Sequence, residues 1–172
     1  ESGDEHGICV VAARLEHDSA DVRRSALKAL ARIAPAGHEG CVDAVVARLR
    51  HPTQSVRRFA ALGLEKVVVL GDDRTFDLVS SMAEKDELPG ARAAATLALG
   101  SIVDVGTERA VLAAARSLED PEAEVKFAAI EVFDRLVAKG DSFAIRAIRE
   151  RLESEDSRTR DAAARAMAQV AI

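Results

Sequence analysis

The sequence predicts an all-α solenoid, a stack of helical hairpins, on three observations. The first is a motif that recurs in register. Val22-Arg23-Arg24-Ser25-Ala26-Leu27 is rewritten from Val56, Ala91, Val125 and Thr159, and the starts lie 34, 35, 34 and 34 residues apart. A fixed period in this range marks units that cannot bury their apolar faces alone and so stack on their neighbours. The second is composition: 48% of residues are hydrophobic but only 3% aromatic, with no Trp and no Tyr. Such an interior is built from Ala, Leu, Val and Ile, and the Ala, Arg and Glu content favours helix throughout. The third is the lack of any sustained period-two alternation bounded by turn residues, which is what strands would require.

Each unit reads as two helices. The first carries apolar residues at helical spacing: Ile8, Val11, Ala12 and Leu15, then Val42, Val45, Val46 and Leu49. Phe76, Val79 and Met82 follow, then Val111, Ala114 and Leu118, and last Ile145, Ile148 and Leu152. This spacing puts one apolar stripe on each helix. Polar turns come next, as in His17-Asp18-Ser19, His51-Pro52-Thr53, Leu88-Pro89-Gly90, Asp120-Pro121-Glu122 and Ser154-Glu155-Asp156. Proline there suits a helix start, because the first turn has no amide bond to lose.

The second helix begins at the recurring motif. Its predicted core residues are Val22, Ala26, Ala29, Leu30 and Ile33 in the first unit, and Val125, Ala129, Val132, Phe133 and Leu136 in the fourth. Glycines at 37, 71, 90, 106 and 140 are read as helix ends. The expected division is one domain over 1–172, with ten helices in five repeats at about 5–36, 37–70, 71–105, 106–139 and 140–172.

The formal net charge of −5 does not suit a general nucleic-acid binder. Its distribution is uneven. Residues 19–70 carry nine Lys/Arg against four Asp/Glu, whereas 71–172 carry 14 against 20. Cys9 and Cys41 form no CxxC pair, and so few cysteines point to a reduced compartment rather than a disulfide framework. The longest apolar runs are too short to span a bilayer, and no basic leader segment precedes them. The expected setting is intracellular, in the cytoplasm, without membrane insertion.

Asp120-Pro121-Glu122-Ala123-Glu124-Val125-Lys126 and Ala95-Thr96-Leu97-Ala98-Leu99-Gly100 carry a resemblance to the HEAT-repeat family. That family's pattern is a D-P-x-x-x-V-R-like turn followed by A-x-x-A-L-G, and here it recurs through essentially all of residues 5–172. The resemblance implies a right-handed α-solenoid of five HEAT-like hairpins. It also implies a ladder between neighbouring repeats, built from a turn Asp and a base six residues later. The bases would be Arg23, Arg57, Arg92, Lys126 and Arg160; the acidic slots hold His17, His51, Asp86, Asp120 and Ser154, so only Asp86–Arg92 and Asp120–Lys126 match. As exposed pairs these would contribute under about 1 kcal/mol each.

The same resemblance implies that second helices line a concave face. The residues it leaves outside the core stripe there are Arg24, Lys28, Arg32, Arg58 and Lys66, which supply much of the basic block. Further along, Glu131, Asp134, Arg135 and Asp161 would make the face mixed. These five bases are the expected partner-binding residues. Ordinary solvated helix charge is the competing reading.

Enzyme chemistry finds little footing. His6, His17, His38 and His51 all fall in the first 51 residues, but equivalent atoms of His17 and His51 would lie roughly 10 Å apart at ordinary helix packing. Turn and cap roles are expected of them. His38-Glu39 is the one His-Glu pair, whereas di-iron deoxyhypusine hydroxylases with HEAT-like repeats use several. The cysteines read as structural thiols beside first helices. HEAT-like DNA glycosylases use a basic concave face, but base stacking here would fall to Phe59 or Phe127.

The sequence therefore predicts a non-catalytic protein–protein scaffold with no metal, cofactor or catalytic residue. A lyase- or hydroxylase-related subunit is the alternative, and nucleic-acid binding through the first two repeats the second alternative. The apolar run from Ala166 to Ile172 predicts either continuation into a longer solenoid or complex, or end-to-end association.

Overall fold

The structure is a computed structural model and describes residues 5–171. It contains ten α-helices and no strand among the described residues. They are α1 (Glu5–Ala12), α2 (Ala20–Ile33), α3 (Glu39–Ala47), α4 (Gln54–Gly63), α5 (Asp73–Lys85), α6 (Pro89–Ile102), α7 (Glu108–Ser117), α8 (Ala123–Leu136), α9 (Ser142–Leu152) and α10 (Ser157–Val170). Short 3-10 turns extend α1, α3 and α4 over Ala13–Glu16, Arg48–Arg50 and Leu64–Lys66. The solenoid expectation is met.

One apolar core runs through the stack, from Ile8 and Leu15 to Ile148 and Val170. All five predicted core residues of α8 are buried, Phe133 completely. In α2 the pattern differs. Leu27 is buried and Ile33 is exposed, so the stripe is rotated from the one the spacing suggests. The cause is the neighbouring repeat: Leu27 occupies the space a side chain at Gly63 would need, with its Cδ2 2.7 Å from that ideal Cβ position. The apolar terminal run is partly consumed inside the fold, since Ala166 and Val170 are buried; Ile172 and the acidic residues 1–4 lie outside the described residues.

Turns between repeats follow one rule. Gly37, Gly71, Gly106 and Gly140 all adopt a left-handed φ of 79–85°. Each donates its N–H to the end of the second helix of the repeat it opens, at Val67 O (2.7 Å), Ile102 O (2.8 Å), Leu136 O (2.7 Å) and Val170 O (2.7 Å). A C-terminal carbonyl left over by helix geometry is thereby satisfied from the turn that opens the repeat. At Gly71 nothing lies within 4 Å of an added Cβ, so Gly71→Ala isolates backbone strain. A loss of about 1–2 kcal/mol in urea unfolding is expected, with an unchanged m-value. Gly90 is different from these four: it lies in the first turn of α6 rather than at a helix end, and the Arg57 Nη2 sits 2.5 Å from its ideal Cβ position.

Candidate functional site

The recurring base anchors each hairpin to its own turn. Arg23 Nη1 donates to His17 O (2.8 Å) and Asp18 O (2.9 Å). Arg57 repeats this at His51 O (2.9 Å) and Pro52 O (2.8 Å), and Arg160 at Ser154 O (2.7 Å) and Glu155 O (2.8 Å). The histidines cap the same turns, His17 Nδ1 accepting from Ser19 N (3.0 Å) and His51 Nδ1 from Thr53 N (3.1 Å).

The ladder has another register from the two pairs the sequence matches. Arg92 spends Nη1 on Asp86 O, then turns Nε and Nη2 to Asp120 of the next repeat at 2.7 and 3.0 Å. Asp86 receives Arg50 instead, at 2.5 Å. Lys126 reaches Leu118 O (2.8 Å) and Thr159 Oγ1 (2.7 Å), with Asp156 at 3.6 Å. A base held under its own turn has its remaining donors aimed at the turn that follows. Nor is the Arg92–Asp120 pair a surface one, because its side chains are only 12% and 10% exposed. Where the next slot is His51, the rung is missing: Arg23 Nε is buried without a partner, and the guanidinium lies 5.5 Å from the Phe59 ring centre.

These acids carry a pH signature. Burial pushes the Asp120 carboxyl up, but the hydrogen bonds from Arg92 and Glu122 N and the nearby positive charges outweigh it and hold it below the usual range. Asp156 accepts from Arg158 N (3.1 Å) and Thr159 Oγ1 (3.0 Å), which lowers its pKa to about 2. A carboxyl lowered in the folded state stabilises above its unfolded value and loses that contribution as pH falls through the folded one. Melting temperature is therefore expected to fall from about pH 4 towards pH 2, and Asp156→Asn to flatten that slope.

The second helices form the inner side of the stack. The decisive contacts join α4 and α8, which flank α6. Arg58 makes a bidentate pair with Glu131 (2.9 and 2.5 Å), and Arg135 meets Glu65 at 3.2 Å. In a flat layer those helix axes would stand about 16–20 Å apart, so side chains meeting over α6 place the curvature on this side. Small residues permit it. At Gly100 an added Cβ would lie 2.9 Å from Val132 Cγ2 and 3.1 Å from Arg135 Cβ.

On this face Arg24, Lys28 and Arg32 are exposed along α2, Arg58 on α4, and Lys66 just beyond it. Arg24 pairs with Asp21 in its own helix, and Lys66 with Glu65 (2.9 Å). Glu65 is held below its ordinary pKa by Lys66 first and then Arg135, and Arg58 is raised by its bond to Glu131. Lys28 and Arg32 have no carboxylate within ion-pairing distance among the described residues. The structure thus brings Arg58 to Glu131 of α8, links Lys66 to α8 only through Glu65, and leaves the α2 residues apart.

Phe127, one of the two aromatic residues the sequence offers for stacking on such a face, gives it an apolar feature. Phe127 is 58% exposed on α8, between two clefts. One, of about 350 Å³, runs to Arg158, Asp161, Ala162 and Arg165 on α10; the other, of about 210 Å³, lies over Gly90, Ala93, Ala94 and Leu97 of α6. Phe127 aligns with Arg24 and Arg58 in the repeat, and that equivalence was the available signal.

Residues 8–100 and 42–134 match the sequence profile of HEAT repeats. The chain belongs to the HEAT-repeat family. Among solved structures this HEAT-repeat chain is similar to an engineered protein at 20% identity, covering 98% of this chain and 86% of that one, with a TM-score of 0.47. It is also similar to a designed armadillo repeat protein in complex with the peptide (KR)4, at 15% identity, 94% and 81% coverage, and a TM-score of 0.44. No curated protein matches it.

Chemistry elsewhere on the HEAT repeats is sparse. No group of three or more His, Cys, Asp or Glu side chains is placed to hold a metal among the described residues. His38 and Glu39 border an open cleft between α1 and α3, where Glu39 lies 3.8 Å from Arg74. Cys41 is buried, and burial pushes its thiol pKa up; Cys9 is exposed, against the expectation of a buried or half-buried thiol. Among the described residues no helix is long and apolar enough to cross a membrane.

Proposed function

We propose that this HEAT-repeat chain is a non-catalytic scaffold that receives a partner protein on the inner face of its second helices. The observation that carries this reading is the α2 row. Lys28 and Arg32 hold exposed positive charge that no carboxylate answers among the described residues, on the same face as the exposed Phe127. Interfaces concentrate their energy in aromatic and arginine anchors set among less costly contacts. Arg24, Lys28, Arg32, Arg58 and Lys66 are the proposed docking residues, with Phe127 as the apolar anchor. Rigid display by a continuous core needs no covalent step.

The chain is read as one unit of five repeats, at about 5–36, 37–70, 71–105, 106–139 and 140–172. The unpaired cysteines support an intracellular, cytoplasmic setting.

The test is retention of partner proteins on immobilised chain, repeated with Lys28→Glu/Arg32→Glu and with Phe127→Ala. All three sites are exposed, so the fold is expected to survive, as helix content will report. Partners retained by the natural sequence and lost by both variants are the expected result. Identical retention by all three proteins would remove the inner face from consideration.

A further inference from the structure

The ion pairs over α6 have no counterpart elsewhere on the inner face among the described residues. Arg58–Glu131 and Arg135–Glu65 join side chains 73 and 70 residues apart, two repeats along the chain. Beneath them α6 presents Gly90, Ala93, Ala94 and Leu97, which carry no charge of their own. Arg58 and Glu131 are 50% and 47% exposed. A pair this wet contributes about 0.2–1 kcal/mol and is screened by salt. It can close the groove without locking it.

We infer that these two pairs are a clasp across the inner groove, and that the occupant opening it is an acidic protein segment whose carboxylates take Arg58 from Glu131. This rests on the reading of the inner face as the docking surface. Charge decides the sign of the occupant. Arg58 finds its acid two repeats on, at Glu131; the same step from Arg24 on α2 arrives at Leu97, which is apolar. In the cleft itself Arg57 and Arg58 face Glu124 and Glu131, and the excess of base lies beyond it along α2, at Lys28 and Arg32. An entering carboxylate replaces Glu131 at Arg58 and continues towards Lys28 and Arg32, while Glu131 returns to water. A basic segment would have to sit against Arg57 and Arg58 to reach Glu124 or Glu131, and would then run on towards Lys28 and Arg32. Phe127 borders the same groove and gives the segment an apolar contact. From α8 to α2 is three helix spacings, about 24–30 Å, which an extended segment of about eight or nine residues covers.

The probe is a short fluorescent peptide of alternating glutamate and serine, with a lysine–serine peptide as its counterpart, titrated into the full chain at low salt and read by anisotropy. The glutamate peptide is expected to bind and the lysine peptide not. Glu131→Gln removes the competitor for Arg58 and should tighten binding about two- to five-fold, with Glu65→Gln acting in the same direction. Arg58→Ala should weaken it by at least as much. If Glu131→Gln and Glu65→Gln leave the affinity unchanged while Lys28→Glu/Arg32→Glu abolishes it, the clasp is refuted and the docking face stands. Binding of the lysine peptide instead would overturn the acidic occupant, and binding untouched by any of these changes would overturn both readings.

Discussion

Arg92→Ala is expected to destabilise the protein by about 3–5 kcal/mol, measured by urea unfolding at neutral pH. Arg92 holds Asp120 by two bonds while closing its own turn at Asp86 O, and Thr96 Oγ1 donates to Arg92 O close by. Truncation leaves a carboxylate that is only 10% exposed without its counter-charge. The cost comes mainly from that stranded charge rather than from the strength of the pair. Replacing both partners, with Arg92→Met and Asp120→Leu, should therefore cost clearly less than the sum of the single changes. Additive losses would show that Asp120 is well hydrated without Arg92 and that the rung contributes little.

Phe133→Ala should cost about as much, roughly 3–5 kcal/mol, by leaving a void in the middle of the stack. Phe133 is wholly buried on α8. Phe127, six residues earlier in the same helix, is 58% exposed, and Phe127→Ala is expected to change stability by under about 0.5 kcal/mol. The pair of substitutions separates core from docking surface within one element. A substantial loss of stability on Phe127→Ala would mean that the side chain packs into the fold, and the inner face would lose its aromatic anchor.

Much of the fold was legible because its causes are local. Ala26, Ala60, Ala95, Ala129 and Ala163 are all buried, at equivalent positions of the repeat. Helix spacing alone puts such residues on the face turned to the neighbour. The five bases of the candidate site were found by the complementary argument, as residues left outside that stripe. What they would touch was not legible. Glu131 is placed on the same face by its position in the repeat, but it becomes the partner of Arg58 only through the curvature of the stack. Leu27 and Ile33 were misassigned because a helix's own period does not say which side a neighbouring glycine leaves open.

Sequence by itself determined the ten helices, their pairing and the all-α class, since each depends on contacts between residues a few positions apart and on a period repeated along the chain. Tertiary structure alone decided the register of the ladder and the pairing of Arg58 with Glu131 and of Arg135 with Glu65 across α6. Those follow from small rotations between repeats, set by how closely helices approach at Gly63, Gly90 and Gly100, and such rotations accumulate over residues about 70 positions apart.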